Sequence, residues 1–285
     1  MVPLSIPSRC RTADKRSFGT VLGIGGSRGM AGAAAMAGKS ALLAGAGLVQ
    51  IAVPDPVLET VAGYYPEYTT IPCPADCSGR FSLQSLPVLL ERCRNAAAVF
   101  IGPGLGYSDD LTQLAGQFVR QAPCPVVADA DALQPDILAE RNDNVTLVLT
   151  PHHGEFARLT NTTVPFEDDM EQRKASALAF AGRYRTVLVL KGHRSIITDG
   201  SRLELNSTGN PGMATGGSGD VLTGLIAGLL AQRLMPVFET VCLAVHLHGS
   251  AGDLAAEHLG ELSVTATSIL AHIPAAIAAL NSGSE

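Results

Sequence analysis

The sequence predicts an α/β fold built on a mostly parallel central sheet that helices cover on both faces. Short apolar and β-branched segments alternate with longer segments of helical pattern along the chain, which is typical of parallel strands buried on both faces. Hydrophobic residues make up 46% and charged residues 16% of the 285 positions, so the chain can bury a large core. Aromatic residues are 5% and tryptophan is absent, so we expect that core to be aliphatic.

The strands and helices follow from these patterns in chain order. We predict strands at Thr20–Ile24, Leu48–Val53, Ala97–Ile101, Pro125–Ala128, Val145–Leu149, Thr186–Leu190, Ser195–Thr198 and Arg202–Leu205. We predict helices near Gly32–Ala44, Ser85–Arg94, Leu111–Arg120, Pro135–Ala139, Glu155–Thr160, Met170–Tyr184, Ser218–Arg233, Val237–His258 and Leu262–Leu280. The last two strands flank Asp199-Gly200, which favours a hairpin. No Pro/Ser-rich linker or internal repeat divides the chain, so we predict one domain over residues 18–285 after an untethered basic extension over residues 1–17.

Charge and hydropathy exclude several classes of partner and location. The net charge of −6 argues against general nucleic-acid binding. The N-terminal residues are basic but contain no apolar segment of a secretory signal, and no long uncharged apolar run predicts a membrane span. We therefore expect a cytoplasmic protein with neither a nucleic-acid nor a membrane partner.

Six cysteines are spread along the chain, at positions 10, 73, 77, 93, 124 and 242. Cys73 and Cys77 are close in sequence but have no second pair nearby, which makes a zinc site there a poor interpretation. We expect free thiols in a reducing compartment.

A glycine cluster with one carboxylate stands at the predicted start of a helix, in the segment Thr215-Gly-Gly-Ser-Gly-Asp220. Gly216, Gly217 and Gly219 let the backbone approach a ligand closely, and the first amides of a helix favour an anion such as phosphate. A carboxylate beside bound phosphate makes sense as a base or a metal ligand, so Asp220 is our candidate for catalysis. The alternative is a helix N-cap with a flexible glycine linker.

Two other glycine-rich segments follow predicted strands. The segment from Gly23 to Gly29 has Arg28 where a dinucleotide fingerprint needs glycine, so the Rossmann interpretation fails and a plain tight turn stays open. Gly102–Gly106 also lies at a strand end, where ligands collect in open α/β sheets, although a simple turn is the alternative.

Polar side chains follow three further strands. Asp129 and Asp131 could hold Mg²⁺ through water, and the alternative for Asp131 is a helix cap or a buried hydrogen-bond acceptor. His152 and Lys191 also come at strand ends, and Lys191 can reach phosphate oxygens, unless it is a solvated hairpin lysine. His246 and His248 are spaced i, i+2 in a helix, so they face different sides and do not form a shared metal site.

Five segments together resemble one family. Thr215–Asp220 looks like the anion-hole and base motif of ribokinase-like small-molecule kinases. With Asn206–Ala214 before it, the segment is similar to the ADP/ATP-dependent NAD(P)H-hydrate dehydratases. Four further segments support that branch and occur in the family's order, namely Gly25–Ala35, Gly102–Gly106, Leu149–Phe156 and Val189–Gly192. The resemblance implies a ribokinase-like fold.

The resemblance also implies site residues. It assigns the hydrated dinucleotide to Ala34, Ala35, Gly104, His152 and Asp220, with Asp220 as the catalytic base. It assigns the adenine nucleotide to two groups of residues, namely Lys191, Gly192, His193, Arg194 and Ser195, and then Gly216, Gly217 and Gly219. His153 stands where proline is commoner in the family, which makes the turn after His152 less rigid. Metal ligands are not assigned.

Members of this family repair the hydrated, inactive forms of NADH and NADPH. The resemblance therefore implies dehydration of the S-form hydrate with ADP, or alternatively ATP, as co-substrate and Mg²⁺ as cofactor. It also implies a homo-oligomer such as a tetramer, and a functional link to a separate NAD(P)H-hydrate epimerase, because about 17 residues precede the first predicted strand. The alternatives are a ribokinase-like kinase that phosphorylates an alcohol of a vitamin precursor, and a nucleotide sensor without turnover.

Overall fold

A mostly parallel, nine-stranded sheet organises the part of the chain that the computed structural model describes, residues 6–7, 9–138, 145–162 and 169–282. The strands are β1 Thr20–Ile24, β2 Leu48–Pro54, β3 Thr69–Cys73, β4 Ala98–Ile101, β5 Val126–Ala128, β6 Leu147–Leu149, β7 Val187–Leu190, β8 Ile196–Thr198 and β9 Leu203–Leu205. Their order across the sheet is β3-β2-β1-β4-β5-β6-β7-β8-β9. Pairing is parallel from β3 to β7 and antiparallel between β7, β8 and β9.

Helices lie on both faces of this sheet. They are α1 Ala31–Leu43, α2 Leu58–Ala62, α3 Leu86–Cys93, α4 Asp109–Gln121, α5 His153–Thr160, α6 Met170–Tyr184, α7 Ser218–Ala231, α8 Val237–Leu259 and α9 Ala266–Ser282. Successive strand residues pack on opposite faces, since Val189 belongs to the apolar cluster under α1, α7, α8 and α9, and Leu190 to the cluster under α3 to α6. The predicted α/β class and aliphatic core are confirmed.

Small residues let α1 and α7 approach closely. A Cβ atom at Gly224 would lie 1.9 Å from the carbonyl oxygen of Ala37, and one at Gly228 would lie 2.4 Å from that of Ala41. Larger side chains at either position would push the helices apart. Because α7 carries the glycine cluster at its N-terminus, this packing fixes that cluster against the sheet.

Most predicted elements form, with shifted ends, but three predictions were incomplete or wrong. The edge strand β3 and the short α2 were missed, because Pro72 interrupts the apolar pattern of β3 and an edge strand tolerates proline. The predicted helix Pro135–Ala139 is a 3₁₀ turn at Pro135–Leu138, and residue 139 lies outside the described residues. The last helix starts at Ala266 rather than Leu262, because Glu261–Ser263 forms a separate 3₁₀ turn.

The described part of the N-terminal extension is packed against the domain rather than untethered. Arg9 donates to Gln232 Oε1 at 3.1 Å and stacks 3.8 Å from the centroid of the Phe18 ring. Lys15–Phe18 forms a 3₁₀ turn capped by Asp14. The division into residues 1–17 and 18–285 stays a prediction.

The cysteines are all free thiols, as expected. Cys93 Sγ and Cys124 Sγ lie 3.8 Å apart in the buried layer under α3 and α4, a proximity that their sequence spacing does not predict. No helix in the described ranges is long and apolar enough to cross a bilayer.

Candidate active site

A buried ion pair lies at the carboxyl edge of the sheet, where β5 and β7 end. Lys191 Nζ donates to Asp129 Oδ1 at 2.7 Å, and Thr223 of α7 donates to Asp129 Oδ2 at 2.7 Å. Asp129 is 1% exposed, whereas the Lys191 side chain is 20% exposed. Both oxygens of the carboxylate are bonded, so its burial is compensated. The pair joins the sheet to α7 and leaves the lysine side chain partly exposed at the edge.

Lys191 remains charged in this setting. Burial alone would lower the pKa of Lys191, but the carboxylates of Asp129 and Glu155 outweigh burial and raise it. Glu155 Oε2 lies 3.8 Å from Lys191 Nζ. A Cβ atom at Gly219 would lie 3.2 Å from the same Nζ. The alternative of a solvated hairpin lysine is therefore wrong, because the ammonium faces the start of α7.

Asp220 stands in the first turn of α7, beside the ion pair. Burial raises the pKa of Asp220 to about 7, and nearby Asp129 adds to the rise while Lys191 opposes it. A carboxyl group with a pKa near neutrality can accept and release protons at physiological pH. The N-cap of α7 is Gly217 rather than Asp220. The geometry therefore supports a base and argues against the helix-cap alternative.

The N-terminus of α7 is lined by the three glycines of the motif. Gly217 has a φ of +90°, and a Cβ atom there would lie 2.6 Å from Met36 Cε, so neither the conformation nor the space suits another residue. Gly217 has no side chain with which to cap the helix. The first amides of α7 can therefore bind an anion that lies near Lys191.

His248 supports this turn from α8, and the sequence did not indicate it. His248 is buried, and burial lowers its pKa to about 4. Its Nε2 lies 3.0 Å from the carbonyl oxygen of Ser218, so the neutral ring donates a hydrogen bond to the first residue of α7. A histidine inside the apolar pattern of α8 was the available signal, but its partner stands 30 positions away.

The predicted nucleotide segment is the tight loop between β7 and β8. Gly192 has a φ of +153°, and Arg194 has a φ of +54°, so the chain turns sharply. Ser195 Oγ donates to the Gly192 carbonyl oxygen at 3.1 Å and closes the loop. Gly192, His193 and Arg194 are exposed. The loop is thus available to a ligand that also contacts Lys191.

The glycine loop after β4 is held between two neighbouring loops. Ser27 donates to the Gly104 carbonyl oxygen at 2.9 Å, and the Gly106 amide donates to Asp131 Oδ2 at 2.8 Å. Gly104 has a φ of +65°, and a Cβ atom there would lie 2.6 Å from the Met30 carbonyl oxygen. Asp131 is half-buried, and its role as a hydrogen-bond acceptor accounts for one of its oxygens.

The alanines of the predicted substrate site lie in α1 next to this loop. The side chains of Ala34 and Ala35 are buried, and a Cβ atom at Gly26 would lie 3.3 Å from that of Ala34. Their methyl groups pack inside the protein, so their proposed contact with a substrate stays a prediction.

His152 caps α5 and lies near the ion pair through Glu155. Its Nδ1 accepts hydrogen bonds from the amides of Gly154 and Glu155 at 3.0 and 3.3 Å, while the His152 amide donates to Glu155 Oε2 at 2.7 Å. The His152 side chain is 60% exposed. It therefore has a structural role as a cap and an exposed edge that a ligand can reach.

Carboxylates surround the site but do not form a metal cage. No group of three or more His, Cys, Asp or Glu side chains in the described part of the chain is arranged to bind a metal. Asp131 and Glu155 nevertheless lie close enough to raise the pKa of Asp220. Mg²⁺ is commonly held by one or two carboxylates together with substrate phosphates. The donor set therefore fits Mg²⁺ that arrives with a nucleotide, and Asp131 or Glu155, the carboxylates near the base Asp220, would hold it.

The residues of this site lie within a region of the chain that matches a known protein family. A model of the NAD(P)H-hydrate dehydratase family matches residues 21–275, which is most of the chain and includes every part of the site above. This chain belongs to the NAD(P)H-hydrate dehydratase family. Its fold, with this sheet order and both helical layers, is therefore the ribokinase-like fold of that family, as predicted.

Two solved structures of relatives agree with this dehydratase fold. The chain is similar to the ADP/ATP-dependent NAD(P)H-hydrate dehydratase from Bacillus subtilis co-crystallised with ATP/Mg²⁺, with 31% identity and a TM-score of 0.83 over 98% of this chain and 96% of that one. It is also similar to a ribokinase-like superfamily protein from Enterococcus faecalis, with 28% identity and a TM-score of 0.80 over 96% and 92% of the two chains.

A curated relative adds a difference in length. The bifunctional NAD(P)H-hydrate repair enzyme Nnr from Moorella thermoacetica is 41% identical over 274 residues, which are 94% of this chain and 51% of that protein. The chain thus spans about half the length of the curated relatives it matches.

Proposed function

We propose that this dehydratase-family chain uses ADP to dehydrate the S-form of hydrated NADH or NADPH, with NAD(P)H, AMP and phosphate as products. The observation that carries the proposal is the carboxyl group of Asp220, whose pKa of about 7 suits a base, at the glycine-lined start of α7 beside the Lys191 ammonium. The family membership and the similarity to an ADP/ATP-dependent dehydratase support it.

The site supports a two-step reaction without a redox change. Hydroxide is a poor leaving group, and phosphate is a better one. Asp220 accepts the proton of the ring hydroxyl, the hydroxyl oxygen forms a bond to the terminal phosphorus of ADP, and the bond from that phosphorus to the AMP oxygen breaks. The lone pair of the ring nitrogen then expels phosphate, and loss of a proton from the neighbouring ring carbon restores the dihydropyridine.

Residues around Asp220 hold the charges of this transfer. Lys191 and the first amides of α7 bind oxygens of the transferring phosphoryl group, and the Lys191–Ser195 loop binds the AMP part of the nucleotide, including its phosphate. Asp129 stays bonded to Lys191 and Thr223, so it orients the ammonium. Mg²⁺, when bound, neutralises charge on the transferring phosphoryl group.

One assay tests the proposal against both alternatives. The chain is incubated with hydrated NADH and ADP or ATP, and absorbance of the restored dihydropyridine is followed. Recovery with stoichiometric AMP from ADP supports the dehydratase. Accumulation of a phosphorylated alcohol without dihydropyridine would indicate a kinase, and nucleotide binding without turnover would indicate a sensor. The presence of Asp220 argues against the sensor, because pure phosphate binding gains nothing from a nearby carboxylate.

The choice of ADP over ATP, the oligomer and the location rest on the resemblance. We propose a cytoplasmic homo-oligomer, with a tetramer as its expected state, and the six free thiols fit a reducing compartment. We also propose that an NAD(P)H-hydrate epimerase works beside this activity, since the relatives are named bifunctional repair enzymes. A comparison of the rates with ADP and ATP tests the choice of nucleotide, and a measurement of the mass in solution tests the oligomeric state.

A further inference from the structure

A buried arginine lies beneath the predicted nucleotide loop. Arg173, on the first turn of α6, is 3% exposed. One guanidinium nitrogen, Nη1, donates to the carbonyl oxygen of His193 at 3.3 Å. The other two, Nε and Nη2, are buried and have no hydrogen-bond partner among the residues that the structure describes. The interior therefore holds the Arg173 cation with a hydrogen bond to a described residue at one of its three guanidinium nitrogens.

No carboxylate in the described residues compensates this charge. The ion pairs of the site use Lys191, and Asp169 at the start of α6 bonds the amides of Glu171 and Gln172. Arginine does not lose its proton in proteins, so it cannot escape the cost of burial by becoming neutral. A buried, unpaired charge destabilises a fold strongly. Such a group calls for a partner that the described residues do not supply.

The guanidinium touches the loop whose backbone would face a nucleotide. A Cβ atom at Gly192 would lie 3.1 Å from Arg173 Nη2 and 2.8 Å from His153 Nε2. Nη1 holds the His193 carbonyl toward the interior. The carbonyl and the N–H of one peptide group point in opposite directions, so the amide of Arg194 points outward. The Arg173 guanidinium and the Arg194 amide therefore both attract an anion on the outer side of the loop.

We propose that Arg173 is a positioning residue whose buried charge is compensated by the phosphates of a nucleoside di- or triphosphate on the Lys191–Ser195 loop. The proposal rests on the proposed function in placing the nucleotide at this loop. Arg173 acts through the loop, by orienting the 193–194 peptide and by adding positive potential beneath it. Lys191, by contrast, faces Asp129 and the start of α7.

The test separates charge from hydrogen bonding with three variants. Arg173→Met removes both, Arg173→Gln keeps a donor for His193 without the charge, and Arg173→Lys keeps the charge without the planar fork. Arg183→Met is the matched control, because it removes an exposed arginine from the same helix. Affinities for ADP, inorganic pyrophosphate and adenosine are measured by calorimetry, and Tm is measured without ligand.

We expect Arg173→Met and Arg173→Gln to weaken ADP and pyrophosphate binding by roughly tenfold, because each variant removes the positive charge that contacts the loop from beneath. Adenosine affinity should change little, Arg173→Lys should keep most ADP affinity, and Arg183→Met should match the wild type. The ligand-free Tm of Arg173→Met should be equal to or above that of the wild type, because an unpaired buried charge has been removed.

The opposite pattern overturns the inference. A structural anchor predicts a lower ligand-free Tm with unchanged ADP affinity, and general loop damage predicts equal losses for ADP and adenosine. If Arg173→Gln matches the wild type while Arg173→Lys does not, the hydrogen bond matters and the charge does not. Should Arg173→Met fail to fold, the Gln and Lys variants still decide between these outcomes.

The proposed function is judged separately, because no hydrated dinucleotide is used. If wild-type protein binds ADP as expected but restores no dihydropyridine, the proposed function fails and the inference stands. If ADP affinity depends on Lys191 but not on Arg173, only the inference fails. Absence of ADP, ATP and pyrophosphate binding in the wild type would contradict both.

Discussion

Lys191 Nζ and Asp129 Oδ1 are 2.7 Å apart, and this pair sets the charge balance of the site. Lys191 lowers the pKa of neighbouring Asp220, while Asp129 raises it. Asp129 also accepts from Thr223, so its position is fixed from both the sheet and α7. The Lys191 ammonium can therefore bind a phosphate while the Asp129 carboxylate stays hydrogen-bonded to Thr223. The same pair also influences the pKa of Asp220.

Replacing Lys191 with methionine should impair nucleotide binding more than chemistry. We interpret the Lys191 ammonium as a ground-state contact with phosphate, so KM for the nucleotide should rise with a smaller fall in kcat. Since Lys191 opposes the rise in the pKa of Asp220, the pH at which activity is half-maximal should also move upward. Steady-state kinetics over a pH series measures both effects.

The stability of the same variant provides its control. Lys191→Met leaves the Asp129 carboxylate buried with Thr223 as its remaining bonded partner in the described structure, so Tm should fall. Adding Asp129→Asn should recover Tm but not nucleotide affinity. An unchanged nucleotide KM in the single variant would argue against a phosphate contact.

The pH dependence of activity and of stability should have opposite signs at Asp220. Its folded pKa of about 7 lies above the ordinary value of 3.8. The base is active when ionised, so kcat/KM should rise as pH increases through about 7. The protonated form is favoured by the fold, so its contribution to stability is present below pH 3.8 and is lost as pH rises through about 7.

Comparing the wild type with Asp220→Asn isolates this contribution. The Tm difference in favour of the variant should grow between pH 4 and 8, where the wild-type carboxyl group ionises. A constant difference across that range would mean that Asp220 has an ordinary pKa. The prediction would then be wrong even if the residue is essential.

His248 should make the protein sensitive to acid. Its folded pKa of about 4 lies below the ordinary value of 6.5. Its contribution to stability is therefore present above pH 6.5 and is lost as pH falls through about 4. His248→Gln keeps a donor for Ser218 but cannot take up the proton, so it should flatten the acid part of the Tm profile. His248→Leu removes this side-chain donor to the Ser218 carbonyl and should cost about 0.5–1.5 kcal/mol.

His152 allows binding and capping to be separated. His152→Ala should raise KM for the hydrated dinucleotide and leave nucleotide affinity intact. It should also destabilise the fold by roughly 0.5–2 kcal/mol, because the cap of α5 is lost. His152→Asn restores an acceptor for the Gly154 and Glu155 amides, so it should recover Tm but not KM. If it recovers both, His152 acts as a cap alone.

The sequence predicted elements better than partnerships. Strands such as Thr20–Ile24 and the helix Met170–Tyr184 have the observed bounds, because continuous apolar runs and helical periodicity are local signals. Strand ends also brought Lys191 and Asp129 to the same edge of the sheet. Their direct pairing was not predicted, since a strand end limits where a side chain lies but does not select its partner.

The remaining supports of the site depend on contacts between distant parts of the chain. Thr223 bonds Asp129 across 94 positions, and His248 bonds Ser218 across 30. In the sequence, each of these two residues is an ordinary member of an apolar helix, and only the packed structure shows its partner. Arg173 is a similar case, because an arginine in an amphipathic helix is normally exposed. Such residues become visible once burial and hydrogen-bond partners are known.

Asp220→Asn should abolish turnover while both ligands remain bound. Asparagine keeps the size of the side chain but cannot accept the hydroxyl proton, and general-base contributions are typically about 10²–10⁴-fold in rate. Nucleotide affinity should be equal or higher, because a negative charge beside phosphate has been removed. The measurements are kcat for dihydropyridine recovery, ADP affinity by calorimetry and Tm. Glu91→Gln, an exposed change of the same charge on α3, is the control.

The outcome of this variant decides the mechanism. A helix-cap role would make Asp220→Asn nearly neutral in both rate and stability, because asparagine is as good an N-cap as aspartate. The structure argues against that outcome, since Gly217 is the N-cap and Asp220 lies three residues further on, among carboxylates that raise its pKa. Near-normal kcat with an intact fold would remove Asp220 as the base. A group other than Asp220 would then have to take the proton, and the phosphoryl-transfer step described above could not stand.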